Sequence, residues 1–237
     1  IWKGENYAKL TGHKKFYDWI IASHLIEHTP DLIGFLNDCD EILKDGGVLS
    51  LIVPDKRYCF DYFRPITGIS SVLDSHFQMN KKHTPGTVFE FNINLAAKAG
   101  EVAWGPETQG EFKIVDSFEN AQIKMESALS NSSEYQDAHA WCFTPHSFRL
   151  IIHDLFRLGL IPFQEIDFSP SMGCEFFMTL GRNGQGAGMS RLDMLKVMDA
   201  EVRMNPLAFQ PSKPASLKDD IRQFLAAMKR HLGLTAK

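Results

Sequence analysis

The clearest hydrophobic signal runs from Phe16 to Ser23, F-Y-D-W-I-I-A-S, an apolar run of the length of a strand with both faces covered. The polar stretch after it ends at Thr29-Pro30-Asp31, where a helix is predicted to start with Thr29 as cap and Pro30 in its first turn. Leu32, Ile33, Phe35, Leu36, Cys39, Ile42 and Leu43 then recur at helical spacing. Lys44 falls where the helix dipole favours a cation, and Gly46-Gly47 supply the stop. Val48 to Val53 reads as a second buried strand, ended by Pro54. Two such strands joined through a helix are expected to be parallel, with a right-handed crossover.

From about Cys59 to Tyr135 the strand pattern disappears. Helices are predicted at Ile69 to Met79, Val88 to Ala99 and Ser117 to Leu129, so residues from about 59 to 140 form a helical insertion after the second strand. Insertions at the carboxyl ends of strands in open α/β sheets are where ligands are handled. Thr144-Pro145 opens a further helix to about Leu158, closed by Gly159. Ile161 to Phe168 and Glu175 to Leu180 are then strands of an antiparallel hairpin around the turn Ser169 to Gly173. Gly181 to Gly188 reads as a linker. Leu192 to Val202 and Leu217 to Leu232 are tail helices, with Pro206, Pro211 and Pro214 between them. The fold class is α/β, with one domain over residues 1–182 and a linker and helical tail over 183–237.

Composition narrows the functional classes. A chain of 237 residues, 44% hydrophobic with 18 Phe, can bury one sizeable core. No apolar run approaches the roughly 20 residues of a membrane span. A net charge of −4 argues against a general nucleic-acid binder. The charge is uneven, with nine Lys and Arg against five Asp and Glu from Ser190 onward. That basic tail reads either as a solvated helical face or as a docking element for an anionic partner. Cys39, Cys59, Cys142 and Cys174 form no CxxC pair, so neither a zinc ribbon nor a disulfide framework is implied, and a reduced cytoplasmic setting is expected.

Three strings in combination carry a resemblance: D-x-I-I-A-S-H-x-I-E-H-x-x-D from Asp18, L-K-D-G-G-x-L from Leu43, and V-P-D-K-R from Val53. The sequence resembles the class I S-adenosylmethionine-dependent methyltransferases over about 110 residues. The resemblance implies a Rossmann-like sheet of seven strands with the last one reversed. The match starts at the family's fourth strand (Phe16 to Ser23), continues through the fifth (Val48 to Val53) and ends with the last two. It implies S-adenosylmethionine as cofactor, with Ala22, Ser23 and His24 on its methionine side. The family's Gly-rich loop and the strand ends that take ribose and adenine are expected upstream of Phe16, so the chain reads as N-terminally truncated. His83-Thr-Pro-Gly and His139-Ala-Trp141-Cys-Phe-Thr-Pro are similar to a subgroup found among polysaccharide and cell-surface biosynthesis proteins. A small-molecule or carbohydrate acceptor with an oxygen nucleophile is the implied substrate. The alternative is a non-catalytic, methyltransferase-like partner or scaffold domain.

The candidate site residues follow. His24, Glu27 and His28 lie at the mouth of the expected sheet, where a His titrating near neutrality can take a hydroxyl proton. Equally, Glu27 can orient the following helix and His28 pack against it. The same residues match H-x-x-E-H, in which two His one helical turn apart hold zinc. That needs a continuous helix and a third ligand, neither evident here, so no metal is expected. Arg57 and Arg64 suit an anionic acceptor, or are exposed loop charges. Tyr58, His83, His139 and Trp141 complete the substrate-binding set, Trp141 being equally readable as core. Glu175 is expected to close a local hydrogen bond. Gly184-x-Gly186-x-Gly188 offers a cofactor loop in a permuted sheet, or a flexible linker. An uncovered Phe16 strand is expected to invite a homo-oligomer through the sheet edge.

Overall fold

The structure, a computed structural model, describes residues 5–130 and 135–203. The short helix α1 (Tyr7–Thr11) leads into strand β1 (Tyr17–Ser23), helix α2 (Leu32–Ile42) and strand β2 (Leu43–Pro54). As expected, β1 and β2 are parallel, with Ile20 opposite Leu49 and Ser23 opposite Ile52. The helix start differs from its prediction. Asp31 is the cap, accepting from the Gly34 amide at 2.9 Å, while the Thr29 hydroxyl donates back to the Ile26 carbonyl. A side chain at 34 would place its Cβ 2.6 Å from the Asp31 carboxylate, so glycine there admits the cap. Gly46-Gly47 do not stop the helix. They lie inside β2, where the register jumps from Tyr17↔Leu43 to Trp19↔Val48 and the extra residues bulge outward.

Helices α3 (Ile69–Phe77), α4 (Pro85–Ile93) and α5 (Phe118–Leu129) occupy the insertion, together with a small ladder, β3 (Ala96–Lys98) against β4 (Phe112–Ile114). The predicted helix from Val88 to Ala99 therefore gives way to a strand at Ala96. Helix α6 (Pro145–Arg157), strands β5 (Gln164–Met172) and β6 (Glu175–Gly181), and helix α7 (Arg191–Arg203) complete the described chain. The main sheet has the order β1-β2-β6-β5. Strand β6 is antiparallel to both neighbours, so β5 runs with β1 and β2, and β6 alone is reversed.

One face of this sheet is buried. Leu49, Leu51 and Val53 of β2 alternate with half-buried residues, as do Phe176, Met178 and Leu180 of β6. Leu32, Ile33 and Leu36 of α2 and Phe148, Ile151 and Leu155 of α6 join them in one core. The expectation of strands covered on both faces is corrected here. Trp19 is 62% and Ile21 67% exposed, because they point away from that core. The Trp19 indole N–H donates to Ser50 Oγ, which bonds Thr179 Oγ1, a polar line across the half-covered face.

The described chain up to Arg203 belongs to one compact unit. The Gly-rich segment expected to be a linker is packed. A Cβ on Gly184 would stand 2.5 Å from the Gln164 carbonyl oxygen, and the Gly186 amide donates to the Glu165 carbonyl. Those glycines are fitted to β5, which removes the permuted-loop reading. Helix α7 is clamped to α6 by Arg191 on Asp154 and by Glu201 on His146. The predicted Leu217 to Leu232 helix lies outside the described residues. Among the described residues no helix is long and apolar enough to cross a membrane.

Candidate functional site

Strands β1 and β2 end together at one edge of the sheet, and reversed β6 begins there, with Pro54 opposite Glu175. His24 leaves β1 with its amide on the Ile52 carbonyl and φ of +47°. Few non-glycine residues adopt that left-handed conformation, and it turns the chain sharply out of the sheet. Ile26–His28 is a single 3₁₀ turn. The H-x-x-E-H residues are therefore not on one continuous helix, and His24 and His28 are not stacked one α-turn apart. The turn instead directs Ile26 and Glu27 inward, each 1% exposed. The Glu27 carbonyl receives the Ala140 amide, which fastens the end of the insertion over the turn.

That fastening assembles the site. Neither Glu27 carboxylate oxygen has a hydrogen-bond partner. The nearest basic side chain is the His24 ring, with Nδ1 3.7 Å from Oε1. Burial raises the Glu27 carboxyl above the ordinary glutamate pKa, and its own backbone amide and the charges of His139 and His24 oppose it only in part. His139 is buried, with Nδ1 2.5 Å from Asp61 Oδ2 and its ring against Phe60 and Phe91. Asp61 also takes the Arg64 guanidinium at 2.8 Å. Burial alone would raise the Asp61 carboxyl, but the His139 hydrogen bond and the His139 and Arg64 charges hold it below the usual carboxylate range. The His28 ring meets His139 edge-on at 4.5 Å and places Nδ1 2.8 Å from Asp137. His24 Nε2 is 2.6 Å from Glu175, so the contact of Glu175 is not local but joins residues 151 positions apart. A pocket of about 220 Å³ is lined by His24, Glu27, His28, Phe60, His139 and Cys174. The Cys59, Cys142 and Cys174 thiols are all pushed above the ordinary cysteine pKa by burial, so none is an activated nucleophile.

The structure thus brings the side chains of His24, Glu27, His28 and His139 to one pocket, which the other predicted residues do not line. Ala22 is buried beneath the β1 end and Ser23 is exposed at it. Arg57 forks onto the fully buried Asp55 and lies over the Tyr58 ring. Arg64 is 3% exposed, sealed against Asp61 and Glu90, and does not reach an acceptor as a surface charge. Trp141 is core, donating its indole N–H to the Thr29 carbonyl. His83 sits with Trp141 on a separate polar pocket of about 250 Å³. Asp61 and Asp137 were not among the sequence candidates. The one local signal for Asp61 is an acid in the polar loop after β2.

His83 has a measurable signature. It is buried, its Nδ1 has no hydrogen-bond partner, and burial pushes its pKa down to about 4. A neutral buried His contributes stability that is complete above its unfolded value of about 6.5 and is lost as pH falls toward 4. Between pH 7 and pH 4, His83 is expected to account for a loss of about 3 kcal/mol. Urea unfolding of the protein and of His83→Gln over that range checks it, since the variant should lose correspondingly less.

No protein-family model matches the sequence. No curated protein matches it either.

Proposed function

We propose that this chain serves S-adenosylmethionine-dependent methyl transfer to a hydroxyl of a small-molecule or carbohydrate acceptor, on a sheet of the class I methyltransferase type. The observation that carries the reading is the strand order β1-β2-β6-β5, in which only β6, the last strand in sequence, is reversed and lies inside the sheet. Support also comes from the place of the His-lined pocket, at the carboxyl ends of parallel strands.

The cofactor supplies an electrophilic methyl group when bound. The residues present fit its methionine end, where Ser23 is exposed beside the turned-out backbone of His24. Among the described residues β1 has one neighbour, β2, so no described strand stands where ribose and adenine would lie. What the chain's own residues do is position an acceptor and hold a proton. The pocket admits a hydroxyl-bearing fragment. His24, oriented by Glu175, is the exposed ring that accepts the hydroxyl proton. The edge of β1 that no described strand pairs, with exposed Trp19 and Ile21, favours a second reading, a domain that pairs with a second chain through that edge.

Calorimetric titration of S-adenosylhomocysteine tests the first reading. The protein should give a saturable heat that Ser23→Trp abolishes without a change in thermal midpoint. A folded protein that gives no heat sinks the proposal.

A further inference from the structure

Glu27 poses a problem that methyl transfer does not solve. A carboxylate 1% exposed with no hydrogen-bond partner on either oxygen is rare, because desolvating it costs several kcal/mol unless something compensates. The His24 ring is occupied by Glu175 and reaches Glu27 only at 3.7 Å. Two other imidazoles complete the surroundings. Ligand atoms of Glu27, His28 and His139 all lie within 4.8 Å of one another.

From this arrangement we infer that Glu27, His28 and His139 form a binding site for a divalent transition-metal ion of the zinc or iron(II) class. Two His and one carboxylate are the donor set such ions take, with remaining positions open to water or substrate. Both imidazoles are already set for it. Nδ1 of His139 is held by Asp61 and Nδ1 of His28 by Asp137, which leaves Nε2 of each ring available to a metal. Carboxylates in that outer position are the usual means of fixing a metal-binding His. Donors on one ion at about 2.0–2.2 Å stand about 3–4 Å apart, so binding requires the cluster to contract by about an ångström. His28, the most exposed of the three, is the member free to move inward. The pocket of about 220 Å³ beside them supplies room for the exchangeable ligand. The set differs from the sequence motif. His139 takes the place of His24, and Glu27, the general base in the motif reading, is the third ligand.

The proposal goes beyond the methyl-transfer reading and is tested without cofactor or acceptor. Protein stripped with chelator is dialysed against Zn²⁺, Co²⁺, Fe²⁺ (anaerobically) or Mg²⁺, and metal content is measured. One equivalent of a transition ion and none of Mg²⁺ is expected, with a cobalt d–d spectrum of mixed N,O ligation. Glu27→Gln and His28→Gln should each lose stoichiometric metal while remaining folded by circular dichroism, and Asp137→Asn should weaken binding by about tenfold. His28→Gln keeps the test valid if Glu27→Gln perturbs the core. A folded wild-type protein that retains no transition ion overturns the site, as does metal content unchanged in both variants. Choice between zinc and iron follows from which ion survives competition.

Discussion

Asp61→Asn is expected to lower the unfolding free energy by about 3–5 kcal/mol. Asp61 is 2% exposed and serves two buried donors, the Arg64 guanidinium at 2.8 Å and the His139 ring at 2.5 Å. Asparagine keeps the shape and removes the charge. Arg64, 3% exposed and already with no partner on Nε, then faces a neutral amide. Its remaining partner, Glu90, lies 3.2 Å away on a side chain 44% exposed, where water weakens the attraction. For a domain of this size the thermal midpoint should fall by about 10 °C. The contrast within the network is the decisive check. Glu90→Gln, at the solvated end, should cost less than about 1 kcal/mol. The double substitution Asp61→Asn with Arg64→Met should recover part of the loss, because it removes the orphaned charge along with its partner. A loss for Asp61→Asn no larger than that for Glu90→Gln would mean that the buried pair does not hold the insertion onto the sheet.

That network also explains which parts of the molecule can be read from the sequence. The β1-α2-β2 unit is legible because its signals are local: apolar positions at helical spacing from Leu32 to Ile42, flanked by two apolar runs. Its boundaries are not. Gly46-Gly47 signal a helix stop, yet they accommodate a bulge whose cause lies on the neighbouring strand, at Tyr17. The half-bare second face escapes for a related reason. Trp19 and Ile21 alternate with Ile20 and Ala22, and an apolar residue on each side cannot reveal which side is covered. Strands β3 and β4 have three residues each, too few for any period to show. At the site, His24, Glu27 and His28 stand out as a motif, but its chemistry depends on His139 and Asp61, from separate ends of the insertion and 78 residues apart. No spacing rule joins such residues; the packing of Phe60 and Phe91 around the His139 ring does.

Glu27→Met carries the second large effect, and its sign should depend on metal. In chelator, the substitution is expected to stabilise the protein by about 1–3 kcal/mol. It replaces a buried carboxylate that has no hydrogen-bond partner with an apolar side chain of similar length, next to Phe60 and Pro54. Most core substitutions destabilise, so a gain here would mark Glu27 as a residue whose placement opposes folding of the metal-free chain. With Zn²⁺ at about a hundred times its dissociation constant, the native protein gains about 2.7 kcal/mol from ligation, which the variant cannot share. The order of stability should then converge or invert. Paired urea titrations in chelator and in zinc measure both arms on the same preparations. A gain in chelator with no response of the native protein to zinc would leave Glu27 as strain without a ligand and count against the metal site. A loss in chelator would show that the carboxylate is already compensated inside the folded chain, which removes the reason for a cation to bind there.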